Sequence, residues 1–266
     1  MKLVRFQDLK GDVHYGEWIK EWSALLIDKT VDDTYEVTDH VVAIDKLLAP
    51  VEPPSILCVG LNYRQHAEET GARIPEYPVL FIKAVSALSH PGDPIVIPNV
   101  APAQVDCEGE LAVVIGKPGK NIERHRAFEH VLGYTCANDV SARRWQKEGG
   151  GKQWCRGKSF DTFCPLGPCL VTPDEIPDPN TLKIKTTLND EIMQDSTTAD
   201  MIFDVPALIS FLSEGTTLLT GTVILTGTPQ GVGFARNPPV FLKKGDRVAI
   251  EIERIGTLVN PVSEEE

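Results

Sequence analysis

The chain is short of positive charge. Its 266 residues carry 26 Lys and Arg against 38 Asp and Glu, a formal net charge of −12. It has no Lys/Arg cluster and no interleaving of aromatic with basic residues. Nucleic acid is therefore not an expected partner, because phosphate binding needs a basic face. No apolar run approaches the length of a membrane span, so no membrane partner is expected either. The six cysteines include no Cys-x-x-Cys pair. That argues against a zinc knuckle or a thioredoxin-type site, and their apolar neighbours suit buried free thiols in a reducing compartment. The opening residues, Met1 to Gly11, alternate apolar and polar. They lack a signal-peptide apolar core and the Arg/Ser-rich helix of a transit peptide. A cytoplasmic location is the expectation, with the mitochondrial matrix as the alternative. There is no Walker A motif and no Gly-x-Ser-x-Gly elbow, which leaves P-loop and serine-hydrolase chemistry unsupported. Internal repeats and low-complexity segments are absent as well.

What is present is an ordinary globular composition, 42% hydrophobic and 24% charged, in a chain long enough to bury a large core. Residues 1 to about 50 read as short strands and a short helix. Pro50, Pro53 and Pro54 punctuate a boundary there, giving an expected small N-terminal domain over 1–52 and a larger domain over 53–266. Strands are expected at 56–61, 79–82, 95–97, 111–115, 133–139, 223–226 and 248–253. Helices are expected at 63–69, 123–132 and 141–147, and at 205–213 with Asp204 as N-cap and Pro206 in the first turn. Leu182 to Asp195 reads as a hairpin turning at Asn189-Asp190. The last four residues read as a frayed acidic tail. Strands predominate without regular strand–helix alternation, so the expected class is mixed α+β and β-rich.

Glu108 and Glu110 stand two apart at the entry to an apolar strand, so their carboxylates share one face. Without a cation they would repel each other and raise each other's pKa; a hard divalent metal resolves the conflict. The plainer reading is a solvated strand start. Asp139 ends another apolar strand, where it is either a third carboxylate of the same site or the N-cap of the helix that follows. His66 and Glu69, three apart on a helix, form either a base with its orienting carboxylate or a surface pair. Arg143 and Gln146 share a helical face and could reach a bound carboxylate. Lys158 lies between a glycine and an aromatic segment. The glycines of 226–233 would let backbone amides approach an anion; a tight structural turn is the alternative.

In combination and order these segments are distinctive. Asn62-Tyr63…His66…Glu69, then Glu108-Gly109-Glu110-Leu111-Ala112-Val113-Val114-Ile115-Gly116, then Asn138-Asp139-Val140-Ser141-Ala142-Arg143, then Gly157-Lys158-Ser159-Phe160-Asp161, then Leu225-Thr226-Gly227-Thr228-Pro229 resemble the fumarylacetoacetate hydrolase family. The resemblance runs from about Ile56 to the C-terminus, and it is nearest the branch called domain-containing protein 2. It implies a β-rich roll with a small N-terminal domain, assembled as a homodimer. It also implies that Glu108, Glu110 and Asp139 hold Mg²⁺ or Mn²⁺. His66 and Glu69 would form a general-base dyad on a lid over 63–77, with Lys158 as a further catalytic group. Arg143, Gln146 and Thr228 would contact substrate. The implied substrate is a small 2-oxo or 2,4-dioxo acid, activated as a metal-chelated enolate. Acylpyruvate hydrolysis, oxaloacetate decarboxylation and oxaloacetate tautomerisation all share that enolate. The alternative is a catalytically lapsed member that binds metal or dicarboxylate. One departure stands out: Cys107 and Gly109 replace the usual Tyr and Val, and Gly109 is expected to loosen its strand.

Overall fold

A computed structural model describes residues 1–20, 22–29 and 35–266. The chain opens with β1 (Lys2–Gln7), β2 (Val13–Lys20), β3 (Ser23–Lys29), β4 (Tyr35–Ala43) and β5 (Lys46–Leu48). Next come β6 (Ile56–Gly60), α1 (Arg64–Thr70), β7 (Val79–Lys83), β8 (Leu88–Ser89), β9 (Ile95–Ile97), β10 (Val105–Asp106) and β11 (Gly109–Ile115). The middle of the chain forms β12 (Val131–Asn138), β13 (Ser141–Ala142), α2 (Trp154–Lys158), β14 (Cys164–Val171), β15 (Lys183–Leu188) and β16 (Glu191–Thr197). It closes with α3 (Val205–Ser213), β17 (Val223–Leu225), β18 (Arg247–Ile252) and β19 (Gly256–Glu264).

Twelve strands make one sheet, with the path β4-β3-β2-β1-β14-β12-β11-β17-β6-β7 and with β5 and β8 attached to its side. A second sheet of five strands runs β16-β15-β18-β19-β9. The strand β11 is buried at every position, as is β14. Strands covered on both faces read as continuous apolar runs, which is what Leu111 to Ile115 do. The expected boundary near residue 52 falls in the coil after β5, while the pairing of β1 with β14 carries the sheet across it.

Several local expectations hold for local reasons. Asp204 caps α3, its Oδ1 accepting from the Ala207 amide at 2.9 Å. Asn189 and Asp190 both take positive φ, 50° and 67°, as a two-residue hairpin turn requires. Others fail. Among the described residues, the first fifty contain strands and no helix. Residues Arg124–His130 form a 3₁₀ helix, and β12 begins at Val131, inside the expected helix. Residues 141–147 divide into the short strand β13 and a π-helical turn over Trp145–Gly149. The acidic tail is not frayed at its start: Ser263 and Glu264 pair with β9, and the Glu265 amide donates to the Ile97 carbonyl. Tertiary pairing overrides local propensity in each case.

Candidate active site

β11 and β12 pair in antiparallel register, with Gly109 opposite Asn138 and Glu110 opposite Ala137. Glu108 lies one residue before β11. Its amide donates to Asn138 Oδ1, and its carbonyl accepts from the Asp139 amide. Those bonds bring Glu108, Glu110 and Asp139 together, with one carboxylate oxygen from each within 4.8 Å of the others. All three are buried. The N-cap alternative for Asp139 is not what forms: its carboxylate takes Lys83 Nζ on Oδ1 and Lys158 Nζ on Oδ2, each at 2.6 Å.

Gly109 does not loosen the strand. It is buried, its amide donates to Gln194 Oε1, and its carbonyl accepts from the Thr228 hydroxyl. A methyl group at this position would collide with the Thr186 hydroxyl. Glycine is what allows β15 and β16 to close over the carboxylates.

The electrostatics differ from one carboxylate to the next. Burial alone would raise the Glu108 pKa, but the Lys158 ammonium and Arg143 guanidinium hold it well below the usual carboxylate range. Glu110 moves the other way. Burial, then repulsion from Asp139 and Glu108, raise it well above the usual range, against Lys158 and an N–H bond from Gly227 at 2.7 Å. Lys158 is itself buried; desolvation would lower its pKa, yet Asp139 and Glu108 keep it raised. It reaches the site because Gly157 lets α2 sit against the 142–146 turn, where a side chain would strike the Gln146 backbone.

The His66 Nδ1 lies 3.0 Å from Glu69 Oε2 on α1. A carboxylate only accepts, so Nδ1 is the donor in this bond and Nε2 is the ring nitrogen left for other work. Glu69 Oε1 accepts from the Gly231 amide at 2.8 Å. Asn62 does not cap α1 with its side chain. It clamps the flanking loops instead, donating to the Thr226 and Phe203 carbonyls and accepting from the Phe203 amide.

Two charged residues of this site were not singled out from the sequence. Lys83 is buried beside Asp139. Its signal was the two-residue period of β7, which puts Lys83 on the buried face with Phe81. Asp106 is buried too, and its Oδ2 accepts from Arg143 Nε and NH2 at 2.9 and 2.7 Å. Asp106 also accepts from the amides of Cys107, Gly233 and Phe234. The glycine loop thus does cradle anions, but they are the protein's own: Glu110 at Gly227, Glu69 at Gly231 and Asp106 at Gly233.

These groups border a cavity of about 320 Å³. His66, Glu108, Glu110, Asp139, Arg143, Gln146, Lys158 and Thr228 all line it. Glu69 stands behind His66 rather than on the wall. Arg143 NH1 donates to Gln146 Oε1 at 3.1 Å, and the Thr228 hydroxyl is held between Gln194 and Gly109. Thr70, Ala72 and Trp154 line the cavity as well. Trp154 packs over Gly60, where any side chain would meet its ring.

The family description "Fumarylacetoacetate (FAA) hydrolase C-terminal" matches residues 55–263. The chain belongs to the fumarylacetoacetate hydrolase family. Among its curated relatives is the Xenopus laevis "Oxaloacetate tautomerase fahd2, mitochondrial", 48% identical over 237 residues, covering 88% of this chain and 74% of that one. The Homo sapiens "Oxaloacetate tautomerase FAHD2A, mitochondrial" is 51% identical over 216 residues, 81% of this chain and 68% of that one. The crystal structure of 2-hydroxyhepta-2,4-diene-1,7-dioate isomerase from Mycobacterium marinum superposes with a TM-score of 0.84 at 39% identity, covering 100% of this chain and 99% of that one. Fumarylacetoacetate hydrolase from Exiguobacterium antarcticum gives 0.85 at 39% identity, with both chains covered in full. The β-rich α+β class expected from the sequence is the fold of this family.

The carboxylate trio fits a divalent metal. Three oxygen donors converge, and Glu110 is the one left without a full cation partner. Hard oxygen donors suit Mg²⁺, Mn²⁺ or Ca²⁺, and three protein ligands leave coordination positions for a substrate.

Proposed function

We propose that the chain is an oxaloacetate tautomerase that moves a proton between C3 and the C2 oxygen of a small 2-oxo acid. The observation that carries this reading is the meeting, in one cavity, of the buried carboxylate trio with an imidazole whose Nδ1 is already committed to Glu69. The names of the relatives support the same substrate. Glu108, Glu110 and Asp139 would hold Mg²⁺ or Mn²⁺, which when bound supplies Lewis-acid stabilisation of negative charge on the substrate oxygens.

The rest of the chemistry belongs to side chains. His66 Nε2 takes a proton from C3 of the keto form and delivers it to the C2 oxygen, and the reverse reaction runs the same two transfers backwards, with Glu69 holding the ring and its tautomer. Lys158 uses two N–H donors on Glu108 and Asp139, so a third remains for the substrate C2 oxygen. Arg143 and Gln146 border the carboxylate end, and Thr228 shapes the wall beside Gly109. The segment 63–77 acts as a lid whose closure excludes water. Its test is hydrogen exchange: protection should rise when oxalate and Mg²⁺ are added, and unchanged exchange removes the lid.

The deciding assay follows oxaloacetate enol absorbance and pyruvate together, with Mg²⁺ or Mn²⁺ present. Loss of enol without pyruvate supports tautomerisation. Pyruvate release would mark decarboxylation, and turnover of acylpyruvates would mark C–C hydrolysis. Inactivity of folded, metal-loaded protein on every 2-oxo acid would leave the lapsed, ligand-binding reading. We further propose a homodimer. The edge strand β7 presents Leu80 and Ile82 to solvent, 48% and 51% exposed, and an apolar edge of this kind favours covering. Sedimentation of wild type and Leu80→Glu tests it. The curated relatives are named mitochondrial, so the matrix, the alternative raised by the sequence, is the compartment to test first by cell fractionation.

A further inference from the structure

The cavity is lined by several cations, yet nearly all of them are already used. Arg143 gives Nε and NH2 to Asp106, and NH1 to Gln146 and Glu108. Lys158 is shared by Glu108 and Asp139. His66 holds Glu69. Lys83, behind the wall, is committed to Asp139. Four buried carboxylates, Asp106, Glu108, Glu110 and Asp139, thus stand against three buried cations, Lys83, Arg143 and Lys158. A divalent ion would turn that balance positive by one charge, enough for one carboxylate of a substrate. A second carboxylate on the same molecule would find no spare charge there, inside a protein whose net charge is −12.

Lys147 is the exception. It lines the cavity, and among the described residues no carboxylate lies within ion-pair distance of its ammonium. It is not adrift. Its Nζ sits 4.6 Å from the centroid of the Phe234 ring. The Arg143 guanidinium carbon sits 4.3 Å from the same centroid. An aromatic face holds an ammonium in place without neutralising it, and leaves its N–H donors for a ligand. The placement comes from two elements. The 145–149 turn carries Lys147, and the amides of Gly233 and Phe234 fix the ring by donating to Asp106.

We propose that Lys147 receives the second carboxylate of a four-carbon 2-oxo dicarboxylate, and so sets the preference for dianions over monocarboxylic 2-oxo acids. This rests on the substrate reading above. The test uses two non-reacting probes that differ by one carboxylate, L-malate and L-lactate, titrated calorimetrically with Mg²⁺ present. Wild type should prefer malate. Lys147→Met should lose about tenfold to a hundredfold of that preference, the worth of a charge-assisted contact, and Lys147→Arg should restore most of it. Thermal melts of the variants check that each is folded. An unchanged malate-to-lactate ratio in Lys147→Met, or no malate preference in wild type, overturns the assignment. Wild-type turnover of oxaloacetate is measured in parallel. If it is absent, the tautomerase reading falls while the malate titration still judges Lys147; if it is present and the ratio is unmoved, Lys147 alone falls.

Discussion

Glu108 and Glu110 are two residues apart on one edge of the carboxylate cluster, and their surroundings are opposites. On the Glu108 flank, Arg143 and Lys158 press against the carboxylate, and Asp106 holds Arg143 in position from behind. On the Glu110 flank there is a single backbone amide, from Gly227, in a buried setting. The first carboxyl is held far below the usual range and the second well above it. A Glu-x-Glu pair is thus not two equal ligands. One flank is an internal ion-pair network that keeps its charge at any ordinary pH. The other is the place where a missing positive charge is felt, and it is there that a metal would relieve the most repulsion.

The comparison can be broken most forcefully from the cation-rich flank. Glu108→Ala leaves Arg143 and Lys158 buried with one carboxylate fewer, a change worth about 3–5 kcal/mol for a broken buried pair. Chemical denaturation should report that loss, and metal-dependent turnover should vanish. Full activity in this variant, or in wild type stripped with EDTA, would remove Glu108 from the site.

His66→Ala belongs to neither flank and separates chemistry from metal binding. Turnover should fall by about two to four orders of magnitude, the usual worth of a positioned base. Calorimetric metal binding should persist; loss of binding with turnover retained would reverse the roles.

Asp106→Asn is subtler. An amide cannot accept from Arg143 and Phe234 on one atom and from Cys107 and Gly233 on the other without turning a donor toward a donor. A destabilisation of about 1–3 kcal/mol follows from the unsatisfied buried group. The variant should raise KM more than it lowers kcat, because the glycine loop and Arg143 shift while His66 stays on α1. An unaltered KM would make Asp106 purely structural.

The smallest effect sharpens the cation-poor flank. Glu110 has a folded-state pKa raised above its unfolded value. Its contribution to stability is therefore fully present below the ordinary carboxylate range and is lost as pH rises through the folded value. Metal-free wild type should lose up to about 1.4 kcal/mol per pH unit across that window, and Glu110→Gln should not. Thermal melts in EDTA from acid to neutral pH make the measurement. Parallel profiles for the two proteins would show that Glu110 is compensated after all.

Much of this was legible in the chain. The same-face Glu pair, the strand-end Asp139, the His66–Glu69 spacing and Lys158 all arrive at one cavity. What misled was local pattern read without its neighbours. Residues 141–147 have helical periodicity, but Ser141 and Ala142 pair with β10, and the turn after them opens into a π-helix. Gly109 reads along the chain as a weak point, but Thr186 and Gln194 pack against it from β15 and β16.

By itself, then, the sequence determined what depends on neighbours along the chain. It set the apolar run of β11, the Asn189-Asp190 turn, the Asp204 cap and the ordered motifs that mark the family. These are short-range matters of φ/ψ preference, side-chain period and hydrogen bonds within a few residues. Only the tertiary structure decided which carboxylate is neutralised and which is not. Lys83 meets Asp139 across 56 residues, Asp106 meets Arg143 across 37, and Gly227 meets Glu110 across 117. Desolvation and Coulomb energy depend on distance in space, and no periodicity in the chain encodes that distance.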